Sequence, residues 1–387
     1  MMSSPIQPGR PGFLRSMNQR AALTALIAQG PMTRNQIGDV TGLSGPTTSQ
    51  LVERLTGDGL ICEAGHTAGS RGPNAIIYRA RTELARGVAL DVRSNQIAAQ
   101  VVDAAGQAFP VAEIRLPRQR HSAGADLKAA IDAAATAAGQ DPAQLIAMCA
   151  GVPGAVSEAT DSLHFTDSLP GWPHRGVRAQ LEAELGLTVI IENDANLSAT
   201  AEAEAFGDDR DFVLLWQGEG LGVASVSDGR VHKGAAGGAG EIGYLPAPRT
   251  AVQIDPSVTD LQSLAGAMGV SRVVRVHYPH ARTYGLAVAH LRDDPLRAQL
   301  LAELAPRTAE ALIPVIAVLD PATVVLGGPT GAACGPQGAR MVQSYIRRHT
   351  RWRTPVVATA VPDQPVLRGA ALSLSRHLAD HLLARIT

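Results

Sequence analysis

Residues 33–60 of this chain read TRNQIGDVTGLSGPTTSQLVERLTGDGL, and they decide the fold of the N-terminal region. Thr33 can cap a helix that runs to Val40, and Gly42 supplies the tight turn that follows. Ser44 can cap a second helix. Two short helices joined in this way predict a helix-turn-helix, which presents its second helix to the DNA major groove.

The second of these helices has an apolar side and a polar side. Ile37 and Val40 of the first helix are expected in the core, together with Leu51, Val52 and Leu55 of the second. The residues expected to face outward, towards DNA, are Thr47, Thr48, Ser49 and Gln50. Glutamine can pair with adenine N6 and N7, while hydroxyl groups can serve bases or phosphates.

A hairpin is predicted directly after this motif. Residues 60–63 and 75–78 read as two short strands around a glycine-rich tip, which is the wing of a winged helix. Arg71 lies at that tip, where a stiff turn could direct its side chain into the minor groove. Arg71 therefore joins the predicted DNA-contacting residues.

These elements define an N-terminal domain. A helix over residues 17–29 precedes the motif, and its apolar positions recur at helical spacing. The sequence thus predicts a disordered tail over residues 1–13 and a winged helix-turn-helix domain over residues 14–80. A short polar linker over residues 80–85 is expected to follow.

Composition and charge agree with a two-part protein. The chain has 387 residues, of which 45% are hydrophobic and 18% charged, as in soluble globular proteins. Residues 1–80 carry seven Arg and four acidic residues, whereas the remainder carries 27 basic and 31 acidic residues. A basic head fits a phosphate-binding module. With neither a membrane-length apolar run nor an apolar signal core, we expect a cytoplasmic protein that does not enter membranes.

Strand and helix patterns alternate through the rest of the chain, which indicates an α/β body with a partly parallel sheet. The predicted strands are 87–92, 97–102, 111–116, 145–149, 188–191, 212–216, 222–226 and 323–326. The predicted helices are 126–138, 175–185 and 195–206, with others near 260–277 and 296–318.

Five motifs along residues 86–330 resemble the ROK family of repressors and sugar kinases. They are Gly151-Val152-Pro153-Gly154, Leu169-Pro170-Gly171-Trp172, Glu192-Asn193-Asp194-Ala195-Asn196, Ala239-Gly240-Glu241-Ile242-Gly243, and Leu319-Asp320-Pro321 running on to Gly327-Gly328. The resemblance implies a two-lobed, actin-like (ribonuclease H-like) sugar kinase fold for residues 86–387, serving for effector binding and oligomerisation. A winged helix before such a body is the layout of the family's transcriptional regulators, so the resemblance implies a repressor that responds to a carbohydrate.

Two departures from the family's pattern oppose catalysis. Kinase members carry an Asp followed by a glycine pair and Thr, whereas here Asp91 is followed by Val92, Arg93 and Ser94. In the second phosphate loop, Glu219 stands where the family has Thr. A carboxylate beside a polyphosphate costs on the order of a kcal/mol or more. We therefore expect no enzyme activity, no catalytic residue and no nucleotide cofactor.

The resemblance also assigns the effector site. Asn193, Asp194 and Glu241 match the family's sugar contacts, while Tyr244 and Gln262 replace its His and Glu and are expected to alter ligand choice. The His and Cys ligands of the family's zinc site are missing, so no bound metal is expected. An alternative remains open, in which Asn193 and Asp194 only cap the following helix.

Three functions are compatible with the sequence. A DNA-binding regulator with a carbohydrate effector is favoured, acting as a homodimer or homotetramer because one winged helix reads few base pairs. An ATP-dependent sugar kinase with a vestigial head is the first alternative. A regulator whose body has lost ligand binding and only oligomerises is the second.

Overall fold

The fold comes from a computed structural model, which describes residues 11–67, 75–116, 122–164, 169–207 and 211–386. The head is built from three helices and a small sheet. Its elements are α1 (Pro11–Gln29), β1 (Met32–Thr33), α2 (Arg34–Thr41), α3 (Gly45–Gly57), β2 (Ile61–His66) and β3 (Ile76–Ala80). The three strands are ordered β1-β3-β2 and pair antiparallel.

Local signals in the sequence explain where α2 begins and ends. Thr33 and Gln36 form a reciprocal capping box at its start, and Gly42 ends it with a left-handed φ of 68°. Ile37 is buried as expected. The predicted winged helix-turn-helix is confirmed in these elements.

Two expectations for the head were wrong in detail. Val40 is 49% exposed rather than buried, because only Ile37 of the short α2 turns towards the core. Helix α1 begins at Pro11, so residues 11–13 of the expected tail are helical. Residues 1–10 lie outside the described part of the chain.

The first lobe of the body contains a five-stranded sheet. Its elements are β4 (Arg86–Val92), β5 (Gln96–Asp103), β6 (Ala108–Arg115), α4 (Ala123–Ala138), β7 (Leu145–Val152), β8 (Ala155–Ser157), β9 (Ser162–His164), α5 (Val177–Leu185), β10 (Thr188–Asn193) and α6 (Asp194–Phe206). The strand order is β10-β7-β4-β5-β6. Strands β10, β7 and β4 run parallel, while β5 and β6 are antiparallel additions.

The second lobe repeats the plan with a second five-stranded sheet, ordered β13-β12-β11-β14-β15. Its strands are β11 (Phe212–Gln217), β12 (Leu221–Ser227), β13 (Arg230–Val231), β14 (Val324–Gly327) and β15 (Val356–Ala358). Its helices are α7 (Arg249–Ile254), α8 (Leu261–Ala265), α9 (Ala267–His277), α10 (Tyr284–Arg292), α11 (Arg297–Leu319) and α12 (Gly328–His349). The predicted α/β architecture is confirmed.

The last helix, α13 (Pro365–Ala384), returns to the first lobe and joins it to the head. It packs against α6, β4 and β7 on one side and contacts α1 on the other. Leu23 and Leu26 of α1 belong to the same buried apolar cluster as Leu378 and Leu382 of α13. The head and the body therefore share one continuous core.

The segment predicted as a short polar linker, residues 80–85, is packed against the first lobe. Ala80 and Ala85 are buried, and the Thr82 hydroxyl donates to Asp103 Oδ2 of β5 at 2.6 Å. This junction fixes the head against the first lobe.

The carboxyl ends of the parallel strands of the two lobes face each other, and the space between them is here called the cleft. Strands β4, β7 and β10 end there on one side, and β11 and β14 on the other. The Ser94 hydroxyl after β4 donates to Glu219 after β11 at 3.1 Å, so the two edges face each other. Ligand sites of α/β sheets lie at such edges.

Candidate DNA-binding surface and effector cleft

Helix α3 presents a polar face to solvent. Thr47 and Gln50 are exposed, and so is Arg54 one turn further on. Residues spaced three and four apart lie on one side of a helix, so these three share a face. Ser49 is half-buried, and its hydroxyl donates to the Gly45 carbonyl at 3.0 Å.

Thr48 does not face outward, contrary to expectation. Its side chain is 1% exposed, and its hydroxyl donates to the Ser44 carbonyl at 3.0 Å. The cause is helical geometry: Thr48 precedes buried Leu51 by three residues and buried Val52 by four, so it lies on the same inner face. The spacing alone could have revealed this. Arg71 lies outside the described residues.

Arg34 is a site residue that the sequence argument missed. Its guanidinium donates to Ser49 Oγ at 3.4 Å and to the Tyr78 hydroxyl at 3.3 Å. It therefore joins the starts of α2 and α3 to the wing strand β3 while remaining exposed. A cation at this corner is suited to a DNA phosphate.

In the cleft, the start of α6 carries two predicted effector residues. Asn193 is the N-cap of α6: its Oδ1 accepts from the Asn196 amide at 3.1 Å. Its Nδ2 also donates to the Gly154 carbonyl at 3.0 Å. The capping interpretation thus applies to Asn193, although the amide group keeps one further N–H and a second lone pair.

Asp194 is the first residue of α6 and lies in an electrostatically unusual place. The pKa of Asp194 is raised to about 7, chiefly because the carboxyl group is buried. The charges of Asp91 and Glu241 also raise this pKa, whereas the hydrogen bond from the Ala195 amide lowers it. Burial also raises the pKa of Glu241 and that of Asp91. Three carboxyl groups from two lobes therefore share one part of the cleft.

The other predicted effector residues have different surroundings. Tyr244 is 58% exposed in a 3-10 turn over Ile242–Tyr244. The side-chain amide of Gln262 makes two hydrogen bonds to the backbone. Its Oε1 accepts from the Leu221 amide at 2.7 Å, and its Nε2 donates to the Glu219 carbonyl at 2.7 Å. Gln262 thus holds the loop that carries Glu219.

The loops opposite each other at the cleft mouth are bonded together. Ser94 donates to both carboxylate oxygens of Glu219, at 3.1 and 3.3 Å. Next to it, Arg93 Nη2 lies 2.6 Å from Asp91 Oδ2, and this carboxylate is 3% exposed. The Arg93 guanidinium is therefore paired with a carboxylate of β4, the strand that it directly follows.

Within the part of the chain that the structure describes, no group of three or more His, Cys, Asp or Glu could hold a metal ion. The described helices also contain none that is both long and apolar enough to cross a membrane.

Comparisons with known proteins agree with this geometry. A profile of the ROK family matches residues 87–376, and a profile of the MarR family matches residues 15–68. A xylose repressor of Caldicellulosiruptor bescii is 23% identical over 61% of this chain and 60% of its own length. The chain thus spans about 60% of the length of the repressors it matches.

Solved structures share the fold. A ROK family transcriptional regulator, a homologue of the E. coli MLC protein, superposes with a TM-score of 0.69 at 20% identity, covering 96% of this chain and 99% of that one. A ROK glucokinase of Streptomyces griseus, solved with glucose and AMPPNP, superposes with a TM-score of 0.62 at 22% identity, covering 74% and 98%. Since the ROK profile extends over well more than half of the sequence, from β4 into α13, this chain belongs to the ROK family.

Proposed function

We propose that this protein is a DNA-binding transcriptional regulator, acting as a repressor, that responds to a small carbohydrate. The observation that carries the proposal is the winged helix packed onto α13 of a ROK body through a shared apolar core. A head docked in this way can follow changes in the body. The repressor name of the relatives supports the same function.

For the DNA contact, Thr47 and Gln50 are proposed to meet base edges, with Arg34 and Arg54 on phosphates. Ser49 and Arg71 remain predicted contacts, whereas buried Thr48 is a support for α3. The test is fluorescence anisotropy with the operator found by selection from random duplexes. Affinity should fall steeply as salt rises because phosphate contacts release counterions. A salt-independent affinity, or none for any duplex, would refute DNA binding.

A homodimer or homotetramer is part of the proposal, because two heads on adjacent half-sites give the selectivity that one lacks. Analytical ultracentrifugation of the free protein and of its operator complex measures this. A strictly monomeric protein in both states would contradict it.

The proposal includes no sugar kinase activity and no zinc requirement. Ser94 and Glu219 bond to each other where nucleotide phosphates would need donors, and Arg93 is paired with Asp91. Directly before the loop that carries Glu219, the Gln217 carbonyl at the end of β11 accepts a hydrogen bond from the Tyr284 hydroxyl at 3.1 Å. Turnover of ATP with any hexose or pentose would favour the kinase alternative, and stoichiometric zinc in metal analysis would overturn the second claim.

The effector is proposed to bind between the lobes at Asp194 and Glu241, with Asn193, Tyr244 and Gln262 shaping the site. Carboxyl and amide groups suit vicinal hydroxyls. D-Xylose is the first probe because of the relatives' names, followed by a panel of hexoses and amino sugars. Calorimetry should show binding to the native protein and loss in the Asp194→Ala and Glu241→Ala variants. A hit that binds these variants equally, or no hit, would favour a body that only oligomerises.

A further inference from the structure

Lys233 forms an ion cluster that spans the two lobes. It is one of two lysines among 34 basic side chains, the other being Lys128. Its Nζ lies 2.6 Å from Glu192 Oε2 and 2.7 Å from Glu158 Oε1. Glu192 lies in β10 and Glu158 directly follows β8, both in the first lobe, whereas Lys233 follows β13 of the second. The charge therefore bridges the cleft walls.

Glu192 passes this contact on to the start of α6. Its second oxygen, Oε1, accepts from the Asn193 backbone amide at 2.9 Å and from Asn196 Nδ2 at 3.0 Å. The side chain of Glu192 is 14% exposed. One carboxylate thus connects the lysine to the first turn of α6, where Asp194 lies.

The backbone of Lys233 holds the opposite wall of the cleft. Its carbonyl accepts from the Ala239 amide at 3.2 Å, closing the loop that leads to Glu241. This loop presses on β8: at Gly237, with a φ of 76°, an added Cβ would lie 1.9 Å from the Val156 carbonyl oxygen. Only glycine permits such an approach at this φ.

We infer that Lys233 is a positioning residue that sets the spacing between Glu241 on one wall and Asn193 and Asp194 on the other. Its role as a determinant of ligand affinity rests on the proposed function, whereas its role in ordering both walls does not. Although burial lowers the pKa of Lys233, Glu192 and Glu158 hold it above its ordinary range, so the ammonium stays charged. Without it, the attraction that holds the Lys233 loop of the second lobe against two carboxylates of the first lobe is lost, and this spacing is no longer fixed.

Hydrogen–deuterium exchange of the full chain tests the inference without any ligand. In the Lys233→Met variant, amides of residues 192–200 and 234–243 should exchange roughly tenfold faster or more, while the head exchanges as in the native protein. Lys233→Arg should restore most of the protection. Lys128→Met is the matched control, since among the described residues Lys128 pairs with Asp132 alone, on the exposed side of α4 at 3.2 Å. Native-like exchange in Lys233→Met would overturn the inference.

Two further measurements keep the outcomes apart. If Lys233→Met does not fold, Glu192→Gln removes the charge but keeps the acceptor for the two amides, and residues 234–243 should again lose protection. For a sugar that binds the native protein, Lys233→Met should weaken binding about tenfold or more and Lys128→Met should not. If no sugar binds at all, the effector proposal fails, while the exchange comparison still decides the role of Lys233.

Discussion

At the scale of single residues, Asp194 links the effector cleft to pH. Its pKa lies at about 7, raised from an ordinary 3.8, so folding favours its protonated form. Stability from this group is fully present below pH 3.8 and is lost as the pH rises through about 7.

The Asp194→Asn variant should therefore become more stable than the native protein as the pH rises. Three pH units correspond to at most about 4 kcal/mol, with the full difference above pH 7 and none below pH 4. Urea unfolding between pH 4 and 8 measures it. Asp132→Asn, on the exposed side of α4, is the surface control for the loss of one carboxyl group. A pH-independent difference for Asp194→Asn would mean that the carboxyl group is not perturbed.

Residues of α3 separate DNA recognition from folding. Gln50→Ala should weaken operator binding by about 1–3 kcal/mol and relax the base preference at one position, because its exposed amide is lost. Thr48→Ala should instead lower the melting temperature and leave the base preference unchanged, because Thr48 is buried. Anisotropy with operator variants and thermal unfolding distinguish the two. A Thr48→Ala change in base preference would contradict this assignment.

At the scale of elements, the contact of α13 with α6 has little spare room. An added Cβ at Gly369 would lie 1.9 Å from the Leu197 carbonyl oxygen of α6. Gly369→Ala should destabilise the protein by about 1–3 kcal/mol or more, since α13 must shift to accommodate the methyl group.

A matched control is available in the second lobe. Gly285 in α10 has open space around its Cβ position, so Gly285→Ala should be neutral or stabilise by up to about 1 kcal/mol. Urea unfolding of both variants gives the comparison. Equal effects at the two glycines would show that helix propensity, rather than packing, governs the α13 contact.

The same elements show what the sequence could and could not predict. The cap at Thr33 placed α2 correctly, and apolar spacing placed α3 and most body strands, because those signals are local. Ser44 begins α3 but makes no side-chain cap hydrogen bond. Helix α12 went unpredicted since Gly328, Gly331, Gly338 and Pro336 disfavour a helix, although α12 packs against α11. At Gly335 the helix is in fact kinked, with a non-helical φ of 58° and ψ of −161°.

The candidate site was only partly predictable for a related reason. Motif resemblance named Asp194 and Glu241, and the structure places them within electrostatic reach of each other. The partnerships of Arg34 with Tyr78, and of Lys233 with Glu192, join residues that are about 40 positions apart. Only the folded chain brings such pairs together.

At the scale of the whole molecule, the packed junction predicts how the head receives a signal from the body. Replacing Thr82 and Glu83 with glycine removes the Asp103 hydrogen bond and the Glu83 contacts with Arg79 and Arg81. This double variant should still bind operator and still bind the sugar that binds the native protein. Its coupling free energy, typically about 1–3 kcal/mol, should fall, because only the contact of α1 with α13 then transmits the signal.

Operator affinity with and without saturating sugar measures that coupling. A double variant with native coupling would show that the signal does not pass through the junction. Loss of operator binding without sugar would show instead that the junction is needed for the head itself.

The hydrogen bond between Ser94 and Glu219 bears on which metabolites can influence this protein. In a sugar kinase, occupancy of the cleft depends on nucleotide as well as sugar, so the closed state follows the energy charge of the cell. Here the loops that carry Ser94 and Glu219 are already hydrogen-bonded to each other. On the proposed function, the sugar concentration that releases the operator would be the same whether ATP is plentiful or scarce. Starvation for energy alone would then leave the regulated genes repressed.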